Sequence, residues 1–549
     1  MFAPLRRLAP LSAALVLGGC LDHPLKNVEY EKLSVDGEPI DVAVNKDVDI
    51  LFVIDNSGSM AEEQALLSAN FGAFINVLER EDVRANYRIG VTTTDVGNPR
   101  CSNTTPELGH LVLSSCRDRV ASGDFTANGE DHAYACTDFC DKTGDELRIK
   151  ETRLGKDDEP RPRKWLESIE GTINVEGVSS MVEAFQCYGP QGVSGCGFES
   201  HLESMYLALA GAKDANSQHN YGFLREKAIL SVVFITDEAD CSYNPAAKEI
   251  FTTNKVFWED PLTDKASLSS TCWNAGVACT GSGTYEECHA ENYDLAGQPG
   301  ASDAEAVLKP VGKYVEFLQG IEDAKQAFDG SQEVLVSLIA GVPIGYERGE
   351  AEIPYADAVD ADFQSMYGVG PGCVVGDPGD PAAAAVPPVR EREFAEAFAV
   401  EDQRNLYSIC QDDYSAALDA IANKLIKQIK PACMTRCVYD ADPDTTIAEP
   451  VCELSDVDDE TEASTDIPAC VEVDGAWAVP DGSVACFAAL NDPDGARTPS
   501  DIDDMSDYCA DQGLNLEFKL VRTAPAPAGS HVQATCRLSD NKGRDCPNL

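Results

Sequence analysis

Residues 49–60 read DILFVIDNSGSM. An apolar run, Ile50 to Ile54, stops at Asp55 and gives way to two serines spaced by a glycine. A near-continuous apolar run of this length suits a strand covered on both faces, the habit of parallel strands flanked by helices. Three further stretches share it: YRIGVTTTD (87–95), AILSVVFITD (228–237) and EVLVSLIAG (333–341).

Helical patterns lie between these runs. Leu67, Phe71, Phe74 and Leu78 recur at spacings that gather them on one face of a helix, as do Leu308, Val311, Val315 and Leu318, and Leu418, Ile421 and Leu425. The last of these carries Lys424, Lys427 and Lys430 toward its end, where cations oppose the helix dipole, and Pro431 stops it. Strand alternating with helix predicts an α/β fold with a doubly wound, mostly parallel sheet. Its regular pieces are 47–97, 181–240, 305–345 and 392–430, within a domain spanning 47–432. The stretches between, roughly 98–180, 241–304 and 346–391, carry cysteines or proline and glycine clusters such as GDPGDPAAAAVPP. Long structureless loops are uncommon in compact domains, so disulfide-stapled insertions are expected there.

From Cys433 to the end of the chain the texture changes. Eight cysteines, an acidic DVDDETEASTD and an alternating LNLEFKL predict a small, cysteine-rich, β-rich C-terminal domain, 433–549. DADPDTT (440–446) spaces aspartates like a calcium loop but lacks the glycine and final glutamate of an EF-hand, and reads as a solvated acidic loop.

The N-terminus reads as a targeting segment. MFAPLRR supplies positive charge, LAPLSAALVL is a short apolar stretch, and LGGC ends it at Cys20. This resembles a bacterial lipoprotein signal, residues 1–19, which implies lipidation of Cys20 and a tether over 20–46. Leu21 is not the aspartate associated with inner-membrane retention, which favours the outer membrane. The expected place is thus the bacterial cell envelope, with the membrane met only through the lipid anchor. Setting Cys20 aside, 20 of the 21 cysteines remain, an even number that falls in even local groups. In an exported chain these read as disulfides rather than zinc ligands, with the pairing left open. The formal charge of −52 argues against nucleic acid as a partner and against docking on anionic lipid.

Ligands of open α/β sheets bind beyond the carboxyl ends of the strands, where strand order reverses. Asp55, Ser57 and Ser59 lie just past one such end and Asp237 past another. Two carboxylates and two hydroxyls supply only oxygen donors, which suits a hard dication, Mg²⁺ first, with Mn²⁺ or Ca²⁺ as the other choices. DNSGSM, the amphipathic helix after it, YRIGVTTTD and FITDEAD together resemble the von Willebrand factor A (VWFA) domain and its metal-ion-dependent adhesion site. The resemblance implies that Ser57 and Ser59 ligate a metal directly, Asp55 and Asp237 directly or through water, and that one coordination position stays open for an acidic group of another protein. It covers about 190 residues of regular structure within 47–430, and neither the signal nor the C-terminal region.

The sequence departs from that pattern at one ligand. Where the family supplies a threonine, residues 194–209 read SGCGFESHLESMYLAL, with none. Glu199 either takes its place as a metal ligand or caps the helix marked by Leu202, Met205 and Leu209. As a ligand it would leave three carboxylates around a dication, a net charge of −1 that weakens attraction for an incoming carboxylate by roughly 4 kcal/mol at an effective dielectric near 20. His201 reads as a helix-surface residue first and a ligand second, Glu238 and Asp240 as solvated loop acids first and as acids behind the ligands second, Thr94 and Asp95 as strand-end residues that turn the chain or orient water, and Phe198 as core. No H-E-x-x-H, G-x-S-x-G, P-loop or dinucleotide fingerprint is present, and no histidine is placed to activate a serine. The expected function is therefore not enzymatic. It is protein binding or adhesion by an envelope-anchored, cation-binding domain, or a structural scaffold whose cation Glu199 seals while the insertions make the contacts.

Overall fold

The computed structural model describes residues 40–41 and 47–546, apart from 81–82, 84, 153, 155–158, 170, 263, 328–331, 377–383, 401–403, 430–431, 435, 442–448, 459–460, 462, 474, 492–503, 507–508, 511–512 and 524–529. The signal segment, Cys20, Leu21, most of the acidic DADPDTT loop, Lys430 and Pro431 lie outside the described residues.

All four apolar runs are strands. β1 (Asp47–Ile54), β2 (Asn86–Thr93), β3 (Leu166–Ile169), β4 (Thr172–Ile173), β5 (Ile229–Ile235), β6 (Leu335–Ala340) and β7 (Leu406–Ser408) form one sheet in the order β4-β3-β2-β1-β5-β6-β7. The five strands from β2 to β7 are parallel, whereas β3 and β4 add an antiparallel edge. The sheet is thus mixed, and the stretch 98–180, expected to lie outside it, supplies that edge. The chain leaves β1 to one side for β2 and to the other for β5, so strand order reverses beside β1.

Helices cover both faces. α1 (Ala61–Leu78), α2 (Met181–Tyr188) and α6 (Ser415–Gln428) pack with Ile50, Phe52 and Ile54 in one apolar cluster. Phe71 stacks on Phe185 with ring centroids 3.5 Å apart, and Leu67, Phe71, Phe74 and Leu78 are all buried, as their spacing predicts. α3 (His201–Lys213), α4 (Val311–Gln326) and α5 (Val389–Glu396) pack with Leu51, Val53 and Phe234 in a second cluster on the opposite face. Alternate residues of β1 enter alternate clusters, which is why the strand reads as an unbroken apolar run. Leu308 precedes α4 rather than belonging to it, and α5 begins inside the expected third insertion.

The 20 cysteines form ten disulfides, the pattern of a protein from an oxidising compartment. The bridges Cys101–Cys196 and Cys140–Cys187 join the first insertion to the segments around α2 and the start of α3. Among the described residues no helix is long and apolar enough to cross a membrane.

Beyond α6 the chain is β-rich. β8 (Cys452–Asp458), β9 (Ser464–Ile467) and β12 (Ser530–Cys536) make an antiparallel sheet, and β10 (Ala485–Leu490) pairs with β11 (Glu517–Arg522) in another. Met434, Leu454, Phe518 and Ala534 centre its apolar cluster, and four disulfides staple it. Ile40 and Asp41, within the expected tether, pair with Ala534 and Gln533 of β12.

Candidate metal centre at the sheet edge

Register brings the site residues together. Ile54 stands opposite Ile235 on one side and opposite Thr93 on the other. Asp55, Thr94 and Thr236 therefore leave the sheet side by side at the carboxyl edge, at the reversal of strand order. Asp237 follows one residue later.

Asp55 is wholly buried and held at both carboxylate oxygens. The Ser57 N–H donates to Oδ1 at 2.8 Å, closing a tight turn, and the Thr236 hydroxyl donates to Oδ2 at 2.7 Å. Ser57 Oγ lies 3.3 Å from Ser59 Oγ, and the Ser59 hydroxyl stands near enough to the Asp237 carboxylate to favour its charged form. Ser57 is buried and Ser59 exposed, so the turn carries its donors outward toward solvent. Behind the turn, the buried Gln64 amide donates to Asp55 O at 3.0 Å and to Gly192 O at 2.8 Å, while its oxygen accepts from the Gln191 and Gly192 N–H groups. Gly195 lies so close that a β-carbon there would stand 2.2 Å from Asn56 Oδ1. Only glycine permits that approach.

Acidic groups crowd the centre. Burial, with Asp55 alongside, pushes the Asp237 carboxyl up to about 7. Burial and Asp237 push Glu238 and Glu63 each to about 8. Glu199 is held well above the usual carboxylate range by burial, then by Glu238 and Asp55. Asp237 Oδ1, Glu199 Oε1 and Glu63 Oε2 are buried without a hydrogen-bond partner among the described residues. Among the described residues no three Asp, Glu, His or Cys side chains are grouped so as to hold a metal ion. The set expected from the sequence, Asp55, Ser57, Ser59 and Asp237, has two carboxylates and draws its other two donors from hydroxyls.

Glu199 does not cap α3. The cap residue is Ser200, and the first turn takes its bonds from across the site: Asp240 Oδ1 accepts from Leu202 N–H at 3.1 Å and Ser242 Oγ from Glu203 N–H at 3.0 Å. Glu199 instead faces Glu238, within hydrogen-bonding reach.

Several loop expectations are corrected. Glu238 and Asp240 are buried rather than solvated, and Asp240 pairs with the buried Arg390 at 3.1 Å. His201 is not on a helix surface. It has no exposure and lies between two carboxylates, with Nε2 3.7 Å from Asp55 Oδ2 and Nδ1 3.1 Å from Glu391 Oε1. Burial works against its charge, but those two contacts carry its pKa up to about 10. Thr94 and Asp95 are fully buried, and Thr94 O accepts from Ser200 N–H at 3.0 Å, tying β2 to the start of α3. Phe198 is half-buried against Phe251, ring centroids 5.2 Å apart.

No protein-family model and no curated protein matches the chain. Among solved structures it is similar to the pilus adhesin SpaC from Lactobacillus rhamnosus GG in its open conformation, at 10% identity over 90% of this chain and 39% of that one, with a TM-score of 0.27. A second structure of SpaC has a TM-score of 0.24 over 39% of its length. The pilus adhesin RrgA from Streptococcus pneumoniae is 10% identical over 91% of this chain and 57% of its own, with a TM-score of 0.26. The chain spans less than two thirds of each, and likeness at this level assigns neither family nor function.

Proposed function

We propose that this chain is a VWFA-type protein of the bacterial cell envelope that binds one divalent cation, Mg²⁺ first, and uses it to bind another protein. Asp55, Ser57, Ser59 and Asp237 would hold the cation, with Glu199 as the fifth candidate. Cys20 would carry the lipid anchor. The observation that carries the reading is the Asp237 carboxylate: near the Ser59 hydroxyl, next to Asp55, with Oδ1 buried and without a hydrogen-bond partner among the described residues. A buried carboxylate oxygen without a partner is costly, and a hard cation is the counterpart that oxygen-only donors select. When bound, the cation offers a coordination position to an acidic side chain of a partner. The protein's own residues do the rest: Ser57 N–H and Thr236 Oγ1 orient Asp55, Gln64 holds the turn, and Ser59 stands at the solvent-facing end.

The scaffold alternative draws support from Glu199 and Glu238, which are 1% and 8% exposed and so lie beyond the reach of any partner. The two readings separate in one experiment. The transition temperature of the disulfide-bonded protein is measured in chelator and in Mg²⁺, Mn²⁺ or Ca²⁺, for wild type and for Asp55→Ala and Glu199→Thr. A cation that binds only the folded state raises the transition with concentration, by about 2.7 kcal/mol of stability at a hundred times Kd. Asp55→Ala should abolish the response; retention of the full response refutes the site. Glu199→Thr retains the response if Glu199 is no ligand, and weakens it if Glu199 seals the cation.

A further inference from the structure

Glu391 has no surface exposure, and among the described residues neither of its oxygens has a conventional hydrogen bond. A carboxylate in that position is strongly destabilising unless paired. The cationic or donor group beside it is His201, with Nδ1 3.1 Å away. The other face of the same imidazole looks at Asp55, with Nε2 3.7 Å from Oδ2. Among the described residues His201, also unexposed, has no other hydrogen-bond partner at either nitrogen. The three side chains thus form a closed row, Glu391–His201–Asp55, running from α5 through the first residue of α3 to the end of β1. Histidine suits the middle place because its two nitrogens point in opposite directions and can meet two carboxylates at once. The preceding residue, Arg390, anchors this turn of α5: its Nε donates to Asp240 and its guanidinium also donates to Lys309 O at 2.6 Å.

We propose that His201, backed by Glu391, is a positioning residue that fixes the Asp55 carboxylate for the divalent cation, and so ties the grip of the site to α5. The inference rests on the cation-binding reading above. In metal sites the partners of ligating carboxylates set ligand orientation, and their loss lowers metal affinity about 10–100-fold.

The test measures Mn²⁺ binding by electron paramagnetic resonance on the full disulfide-bonded chain, at one fixed pH, alongside the transition temperature in chelator. The variants are Glu391→Gln, His201→Phe, and the double variant His201→Phe with Glu391→Leu, which leaves neither of this pair charged and unpaired in the core. Leu425→Ala, a core change in α6 away from the row, serves as the control for general destabilisation. The expected result is at least tenfold weaker Mn²⁺ binding in Glu391→Gln and in His201→Phe, no further loss in the double variant, and unchanged affinity in Leu425→Ala. Wild-type affinity in a folded Glu391→Gln or in the double variant overturns the proposal. Should Glu391→Gln fail to fold, the double variant alone decides. If the wild type binds no Mn²⁺, the cation-binding reading itself falls, and this inference with it. If the wild type binds and the variants bind equally well, only the positioning role falls.

Discussion

Replacing Gln64 by methionine keeps the length and unbranched shape of the side chain and removes every hydrogen bond it makes. Those bonds go to four backbone groups: Asp55 O, Gly192 O, Gln191 N–H and Gly192 N–H. Gln64, Asp55, Gln191 and Gly192 are all buried, so water cannot readily replace the lost partners. A buried backbone group left unsatisfied costs about 1–3 kcal/mol, which for four groups sums to at least about 4 kcal/mol. That is a large share of a typical domain's stability of about 5–15 kcal/mol. Equilibrium urea unfolding with the disulfides intact should show the sheet transition moving to a lower midpoint with the slope unchanged. Cation affinity should fall as well, because Gln64 ties the DNSGSM turn to the loop at 191–192. A loss below about 1 kcal/mol would mean that the four groups find other partners or solvent, and would refute the role given to this amide.

Arg390→Met should destabilise by about 3–5 kcal/mol in the same assay, because it strands the Asp240 carboxylate, and adding Asp240→Asn should recover part of that loss. Lys325 of α4 is 2% exposed, and burial lowers its pKa from 10.5 to about 8. Between those values the unfolded chain holds a proton that the folded chain does not, so stability rises with pH. From pH 7.5 to pH 10 this group should add about 2 kcal/mol, read as the difference in pH dependence between wild type and Lys325→Met; parallel profiles would contradict it.

The parts of the fold legible in the sequence are those whose local pattern is also their tertiary environment. β1, β2, β5 and β6 are buried on both faces and read as apolar runs. α1 and α6 bury one stripe and read as helical periodicity. β3, β4 and β7 are four, two and three residues long, and strands that short carry no usable period. The site divides the same way. Asp55, Ser57, Ser59 and Asp237 stand out as candidates because each follows a readable strand or turn. His201, Glu238 and Glu391 carry ordinary helix and loop signals, and their burial comes from segments far along the chain. Glu391 sits in VREREFAE, which reads as a solvated charged helix, yet Arg390 and Glu391 both point inward to partners at positions 240 and 201. No local signal encodes that reversal. The cysteine groups show the same limit: their even counts announce disulfides, but Cys101 and Cys140 find partners in the neighbouring group.

The insertions converge on the sheet edge that carries the carboxylates, and this bears on which way a partner could come. Cys241–Cys272 fastens the short helix Ser270–Gly276 beside the loop after β5. Ser269 Oγ, just before that helix, donates to Gly197 O at 3.1 Å, and Ser270 Oγ donates to Ser365 O of the third insertion at 3.0 Å. Tyr367, two residues on, stands close enough to Glu238, Asp237, Glu199 and Asp55 for their charges to raise its pKa. Two insertions therefore meet as a roof over Glu199 and Glu238. Gly58 and Ser59, on the α1 side, remain exposed. A cation held at these donors would be closed in by the protein's own acids on one flank and open on the other. Extra negative charge on the closed flank would strengthen the hold on the cation and weaken the pull on an incoming carboxylate, since both act through the same Coulomb field. A partner would then need contacts beyond the metal bond itself, and the surfaces placed to provide them are the rims of the insertions.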